Sequence, residues 1–352
     1  MKVWKTSLVV LLAAILMVVT ACSSGKPPKE AAVSALSKMT ELKSYTFKGS
    51  FGFDEVEIPQ DLADSAEAAG AAAVVSMLKG AKVDVKGTYQ ADPMRSDITL
   101  DLTLGSADSS FNLSIPMIMT KEKMWVKVPA IPGLPIPEEI SGKFVEIDTK
   151  KLMEEAETPM PDTALMQKLG QEALKVLLDG FDEKTYFSEL KAKDVQGLPE
   201  GMKPDQIVRF AITPDNFDDT VKTLVSTVIP KLIDTVASKE EYMTALNLKK
   251  EDLEQAKKEV TATDDSEITK ALEEMKKDLV VHELSMTGAI KGGYLTYQDV
   301  RANLEFTPED SEKVKLGFHF STTYDDINKS VKFENEIPSD AISIEELFGG
   351  AY

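Results

Sequence analysis

One thiol and two imidazoles are the only groups of their kind in 352 residues: Cys22, His282 and His319. A zinc site needs three or four Cys, His or carboxylate ligands brought close together, and an H-E-x-x-H pattern would supply two from one helix face. Neither histidine sits in such a pattern. His319 shares strand parity with Lys313, Lys315 and Ser321 and is expected to face solvent, while His282 opens a strand beside Glu283. Asp325-Asp326-Ile327-Asn328 offers oxygen ligands but lacks the glycine and closing glutamate of a calcium loop, so a capped turn is expected. G-x-S-x-G, G-x-x-x-x-G-K-[ST] and G-x-G-x-x-G do not occur. Glu138-Glu139 and Glu154-Glu155 look like solvated surface, whereas acid–base work needs one desolvated carboxylate. With no converging set, the sequence reads as a non-enzyme without metal or cofactor.

The remaining candidate chemistry is apolar binding. Trp125 lies opposite in strand parity to Met124, Val126 and Val128, on a face that should otherwise be polar. It can line a cavity or rest under a helix. Phe51, Phe111 and Phe318 lie on the apolar parity of three separate strands, and Ile131, Leu134 and Ile136 punctuate a proline-rich stretch that could act as a flap. These seven are the candidate ligand-lining residues. Methionines cluster in the middle third, where core filling is the default use of so adaptable a side chain.

Cys22 belongs to a different chemistry. Lys2 and Lys5 precede an apolar run from Leu8 to Val19, and Val19-Thr20-Ala21-Cys22 follows. A short basic and apolar leader ending in small residues marks a removable export segment. The sequence resembles the bacterial lipoprotein signal, and that resemblance implies a diacylglyceryl group on the Cys22 thiol and cleavage just before it. Residues 1–21 are then the signal peptide, 22–29 the lipidated cysteine and a flexible tether, and 30–352 one domain with a helical middle at about 150–280. The expected location is the extracytoplasmic face of a bacterial membrane. Acidic residues outnumber basic ones 59 to 40, for a net charge of −19, which repels phosphate backbones and excludes nucleic acid as a partner.

The elements that must position these residues follow from periodicity. Ala32, Ala35, Leu36, Met39 and Leu42 fall at helical spacing. Period-two runs follow at Tyr45–Phe53, Val83–Tyr89, Ile98–Leu104, Phe111–Met117 and Met124–Val128, joined by short turns. An alanine-rich helical stripe from Leu62 to Leu78 interrupts them. The middle predicts helices over 161–178, from Thr213 as cap to Pro230 as a kink or end, over 247–260, and after Asp264 or Asp265, with one strand at Gln206–Ile212. Strands return at Leu284–Ile290, Leu295–Phe306 and Val314–Tyr324, with a last short one at Val331–Phe333. The parity switch between Leu295/Tyr297 and Val300/Ala302 predicts a β-bulge near Gln298-Asp299. Residues 83–117 and 284–320 share a strand–turn–strand rhythm that predicts two meanders joined edge to edge.

Lys43-Ser44-Tyr45-Thr46-Phe47, Met124-Trp125-Val126-Lys127-Val128, Gly142-Lys143-Phe144-Val145-Glu146-Ile147-Asp148 and Tyr324–Val331 together resemble LolA-like and LppX/LprG-type lipoproteins. The resemblance implies an α+β fold in which a curved antiparallel sheet, an incomplete β-barrel, carries helices on its concave face. It also implies an acyl-chain or lipid-like ligand in the half-barrel cavity. Two other readings stay open: an envelope interaction or structural lipoprotein with a filled core, and a transporter-associated solute-binding lipoprotein. The last is disfavoured because β-α-β alternation is missing.

Overall fold

Strict alternation of apolar and polar residues lets a strand bury one face and wet the other, and that alternation builds most of this molecule. The computed structural model describes residues 25–57, 80–106, 109–131, 136–155, 163–307 and 313–347. The alanine-rich stripe at 62–78, Cys22 and Leu134 lie outside them.

Helix α1 (Pro28–Met39) leads into strand β1 (Ser44–Glu57). Then come β2 (Lys82–Ala91), β3 (Met94–Ser106), β4 (Ser109–Thr120), β5 (Lys123–Lys127) and β6 (Phe144–Asp148). The helical middle contains α2 (Thr149–Glu155), α3 (Thr163–Asp179) and α4 (Glu183–Tyr186), followed by β7 (Phe187–Glu189) and β8 (Gln206–Ile212). It continues with α5 (Phe217–Thr223), α6 (Ile229–Ala237), α7 (Glu240–Ala245), α8 (Lys250–Ala262) and α9 (Asp265–Asp278). The chain closes with β9 (Leu279–Lys291), β10 (Tyr294–Phe306), β11 (Val314–Asp325), β12 (Ile342–Ser343) and α10 (Ile344–Leu347).

The strands form one sheet in the order β12-β6-β5-β4-β3-β2-β1-β11-β10-β9-β8-β7. All pairs are antiparallel except β12 on β6, so the sheet is mixed. This overturns the expected half-barrel. The sheet is open, neither closed nor curled, and ends in edge strands of two and three residues. The C-terminal meander docks on β1 and lengthens the sheet, where a barrel would need the outer strands to meet each other. Alternation assigns side chains to faces but carries no information on closure.

Because directly paired residues share a face, the register fixes two surfaces. Face one carries Phe51, Val83 and Leu102 in one row and Phe320 and Val300 beyond them. Face two carries the polar partners. Among the described residues, the helical cover of face one lies toward the β7–β10 end. There Ala31, Ala35, Leu178, Phe181, Tyr186, Val208, Val228, Ile290 and Leu295 form a buried cluster. The expected concave cradle of helices is therefore a one-sided cap.

Local details revise several expectations. The bulge in β10 falls at Thr296, where the register slips between Leu295 and Tyr297. Tyr297 therefore turns to face two and is buried with Ile207 and Ala289, with the 190–202 segment packed over it. Thr213 does not cap α5; Asn216 takes that position and accepts the Thr213 N–H at 2.7 Å. Pro230 does not end the helical run. A π-turn at Leu224–Val228 precedes it, and Pro230 then lies in the first turn of α6, where its missing N–H costs nothing. Val331–Phe333 is not a strand, and Phe333 instead lies under Arg95, 4.2 Å from its guanidinium. Asp264 caps α9 through a full capping box with Glu267.

Candidate functional site

Among the described residues, face one presents an apolar surface from β4 to β11 that no helix covers. Register places Tyr89, Val85 and Val83 of β2 beside Tyr45, Gly49 and Phe51 of β1. Leu100 and Leu102 of β3 continue the rows into Ile115 and Leu113 of β4. These side chains are half-buried, and Phe111 and Phe320 remain 39% and 38% exposed. Contiguous apolar patches are uncommon on soluble monomers and mark binding surfaces.

Of the predicted lining residues, Phe51 and Phe318 come together, with ring centroids 6.0 Å apart and Phe53 5.2 Å from Phe51. Phe111 lies on the same face near the Gly105 turn, paired with Leu104. Trp125 does not join them. It stands on face two, paired with Ile118 and Glu146, and is 5% exposed. Its indole N–H donates to Glu146 Oε2 at 2.9 Å, and Lys123 Nζ lies 2.6 Å from the other oxygen. Ile131 and Ile136 are half-buried beside the described part of the proline-rich stretch. Phe53, Val83, Leu102 and Phe320 belong to the surface and were visible only as strand positions, since nothing local distinguishes a covered apolar face from an open one.

Beneath α1, the crevice lined by Leu36, Leu178, Phe187, Phe210 and Met286 has a volume of only about 20 Å³. That holds about one water and excludes an acyl chain. Larger hollows of about 240 and 600 Å³ are polar-lined and belong to face two.

Face two is organised by two buried carboxylates. Asp97 on β3 holds Arg95 Nε at 3.1 Å, and Asp299 on β10 holds Arg301 Nε at 2.6 Å. Each arginine pins a crossing segment. Asp97 accepts the Asn335 N–H at 3.0 Å while Arg95 donates to the Asn335 carbonyl, and Arg301 donates to Gln196 Oε1 at 3.1 Å. His319 is not a free solvent histidine. A bulge at Asp54 turns that carboxylate onto face two, 2.8 Å from His319 Nδ1. Among the described residues, no group of three His, Cys, Asp or Glu side chains could hold a metal ion. The Asp326–Asn328 turn is capped: Asn328 Oδ1 accepts the Lys43 N–H and Asn328 N–H donates to the Ser44 carbonyl. On face one, burial and then the neighbouring Tyr324 and Tyr89 push the Tyr45 hydroxyl up to about 12. Burial, then the charge of Asp299, does the same to Tyr297.

No helix among the described residues is long and apolar enough to cross a membrane. No family model matches this chain, and no curated protein does. Among solved structures, LprF from Mycobacterium bovis aligns over 88% of this chain and 99% of its own, at 11% identity and a TM-score of 0.29. A double-hotdog protein of Mycobacterium tuberculosis aligns over 85% and 82%, at 10% identity and a TM-score of 0.12. Matches this weak carry no argument about fold or function.

Proposed function

We propose that this chain is an exported, membrane-anchored, non-catalytic protein that holds an acyl-chain or lipid-like ligand against the half of face one that no described helix covers. The observation that carries this reading is the half-exposed apolar surface running from β4 through β1 to β11. Each methylene laid on it gains about 0.8 kcal/mol, so a long acyl chain can offset the entropy of its ordering. The diacylglyceryl group at Cys22 would keep the surface beside the lipid supply, at the extracytoplasmic side of the membrane. Two acyl chains suffice for stable attachment.

The test is ligand recovery. Native mass spectrometry of mature protein and uptake of a fluorescent fatty acid should both show an apolar ligand. Leu102→Lys and Phe111→Asp, both on face one, should lower probe uptake at least tenfold without unfolding the protein. Absence of co-purified lipid together with absence of uptake sinks the proposal. A second reading, an envelope interaction protein with a filled core, draws support from the 20 Å³ crevice, since the helix-covered half is packed. It gains if those two substitutions abolish capture of a protein partner and the probe never binds.

A further inference from the structure

Lys48 of β1 and Lys86 of β2 are direct cross-strand partners on face two. Their Cβ atoms should lie about 4.5–5.5 Å apart, and like charges so placed destabilise a sheet. Above them the C-terminal segment adds Lys332, and together they line a hollow of about 240 Å³. The neighbouring row contributes the hydroxyls of Thr46 and Thr88, and Thr99 pairs with Lys86 itself.

Three carboxylates, Asp97, Asp325 and Glu334, share the lining with the three lysines. Asp97 is taken by Arg95 and by the Asn335 N–H. Glu334 meets Lys86 at 3.6 Å, with both side chains about half exposed or more, where an ion pair is worth little. Among the described residues, Lys48 and Lys332 meet no carboxylate within 4.0 Å, and Asp325 is the one uncommitted acid on the lining. With Asp97 held by Arg95, three ammonium groups face two carboxylates, Asp325 and Glu334, in a chain of net charge −19.

We propose that the hollow binds a small phosphate-bearing, hydroxylated anion. Lysine ammonium groups are point-charge phosphate binders, and threonine hydroxyls pair with the hydroxyls of a polyol. An anion between Lys48 and Lys86 converts their repulsion into two charge-assisted hydrogen bonds. The space far exceeds the 10–15 Å³ or so that one water needs. This site is separate from the apolar surface on the other face.

The experiment is calorimetric titration of the full mature chain with inorganic phosphate and with glycerol 3-phosphate. Saturable binding is expected, tighter for glycerol phosphate. Lys48→Gln combined with Lys332→Gln should weaken it at least tenfold, while Lys121→Gln on the β4–β5 turn leaves it unchanged. The double variant should melt no lower than the parent in phosphate-free buffer, because it relieves repulsion; this separates lost binding from lost folding. Competition by phosphatidylglycerol vesicles assigns the phosphate to a lipid headgroup, and lack of competition assigns it to a soluble ester. No binding of either probe, or binding that the double variant retains, overturns the proposal.

Discussion

Trp125 shows how one side chain's surroundings decide its use. Its ring is buried on face two, and Glu146 holds its N–H at 2.9 Å. A buried indole needs such a partner, since an unmade hydrogen bond there costs about 1–3 kcal/mol. The chain has two tryptophans, Trp4 and Trp125, and removal of the leader would leave Trp125 alone. Its emission is therefore a clean reporter of face two. Loading an acyl ligand on face one should leave that emission unmoved, and a spectral shift on loading would place the ligand on the wrong side of the sheet. Trp125→Ala should cost about 3–5 kcal/mol in urea unfolding, the range for emptying an aromatic core site.

At the scale of single elements, the capping of α9 is the most explicit local instruction. Asp264 accepts the Ser266 and Glu267 N–H groups at 2.8 and 2.9 Å, and the Glu267 side chain returns to the Asp264 N–H at 3.3 Å. Hydrogen bonds to Ser266 and Glu267 hold the Asp264 carboxyl below its ordinary value. Its stabilising effect is thus fully present above the unfolded carboxylate pKa, near 4. It is lost as pH falls through the lowered folded value. Asp264→Ala should loosen α9 at neutral pH and flatten this part of the acid-unfolding profile, read by amide exchange in 265–278. Unchanged protection of those amides would remove the capping box from the account. Close approach matters between strands as well: a Cβ on Gly87 would fall 2.5 Å from the Asp97 carbonyl and 2.6 Å from the Phe47 ring.

Across the whole molecule, one sheet separates two chemistries. Face one is apolar, with helices over one end; face two is polar and pinned by Arg95–Asp97 and Arg301–Asp299. Half-buried Tyr45 on face one and buried Tyr297 on face two each have the hydroxyl pushed up to about 12. Their raised folded values favour the native state below the unfolded tyrosine pKa of about 10, and that contribution disappears as pH climbs through about 12. An absorbance titration should show exposed tyrosines ionising first and a late group ionising together with loss of the fold. Ionisation of all tyrosines near pH 10 with the fold intact would contradict the raised values of both.

The amino-acid order alone carried what one strand or one helix can encode. Period-two alternation in Tyr45–Phe53 and Val83–Tyr89 named which side chains share a face, and the Asp264-Asp265 pair marked the start of α9, because both depend on backbone geometry within a few residues. The switch from Phe53 to Val56 even held the signal of the Asp54 bulge, which brings that carboxylate to His319. The joining of two meanders appeared as a rhythm, and the fold realises it through β1 on β11. Openness of the sheet, the one-sided cap of helices, the partner of Trp125 and the pairing of Lys48 with Lys86 rest on contacts between distant segments. Any backbone edge offers the same N–H and C=O groups, so strand order is settled only when whole faces compete for burial.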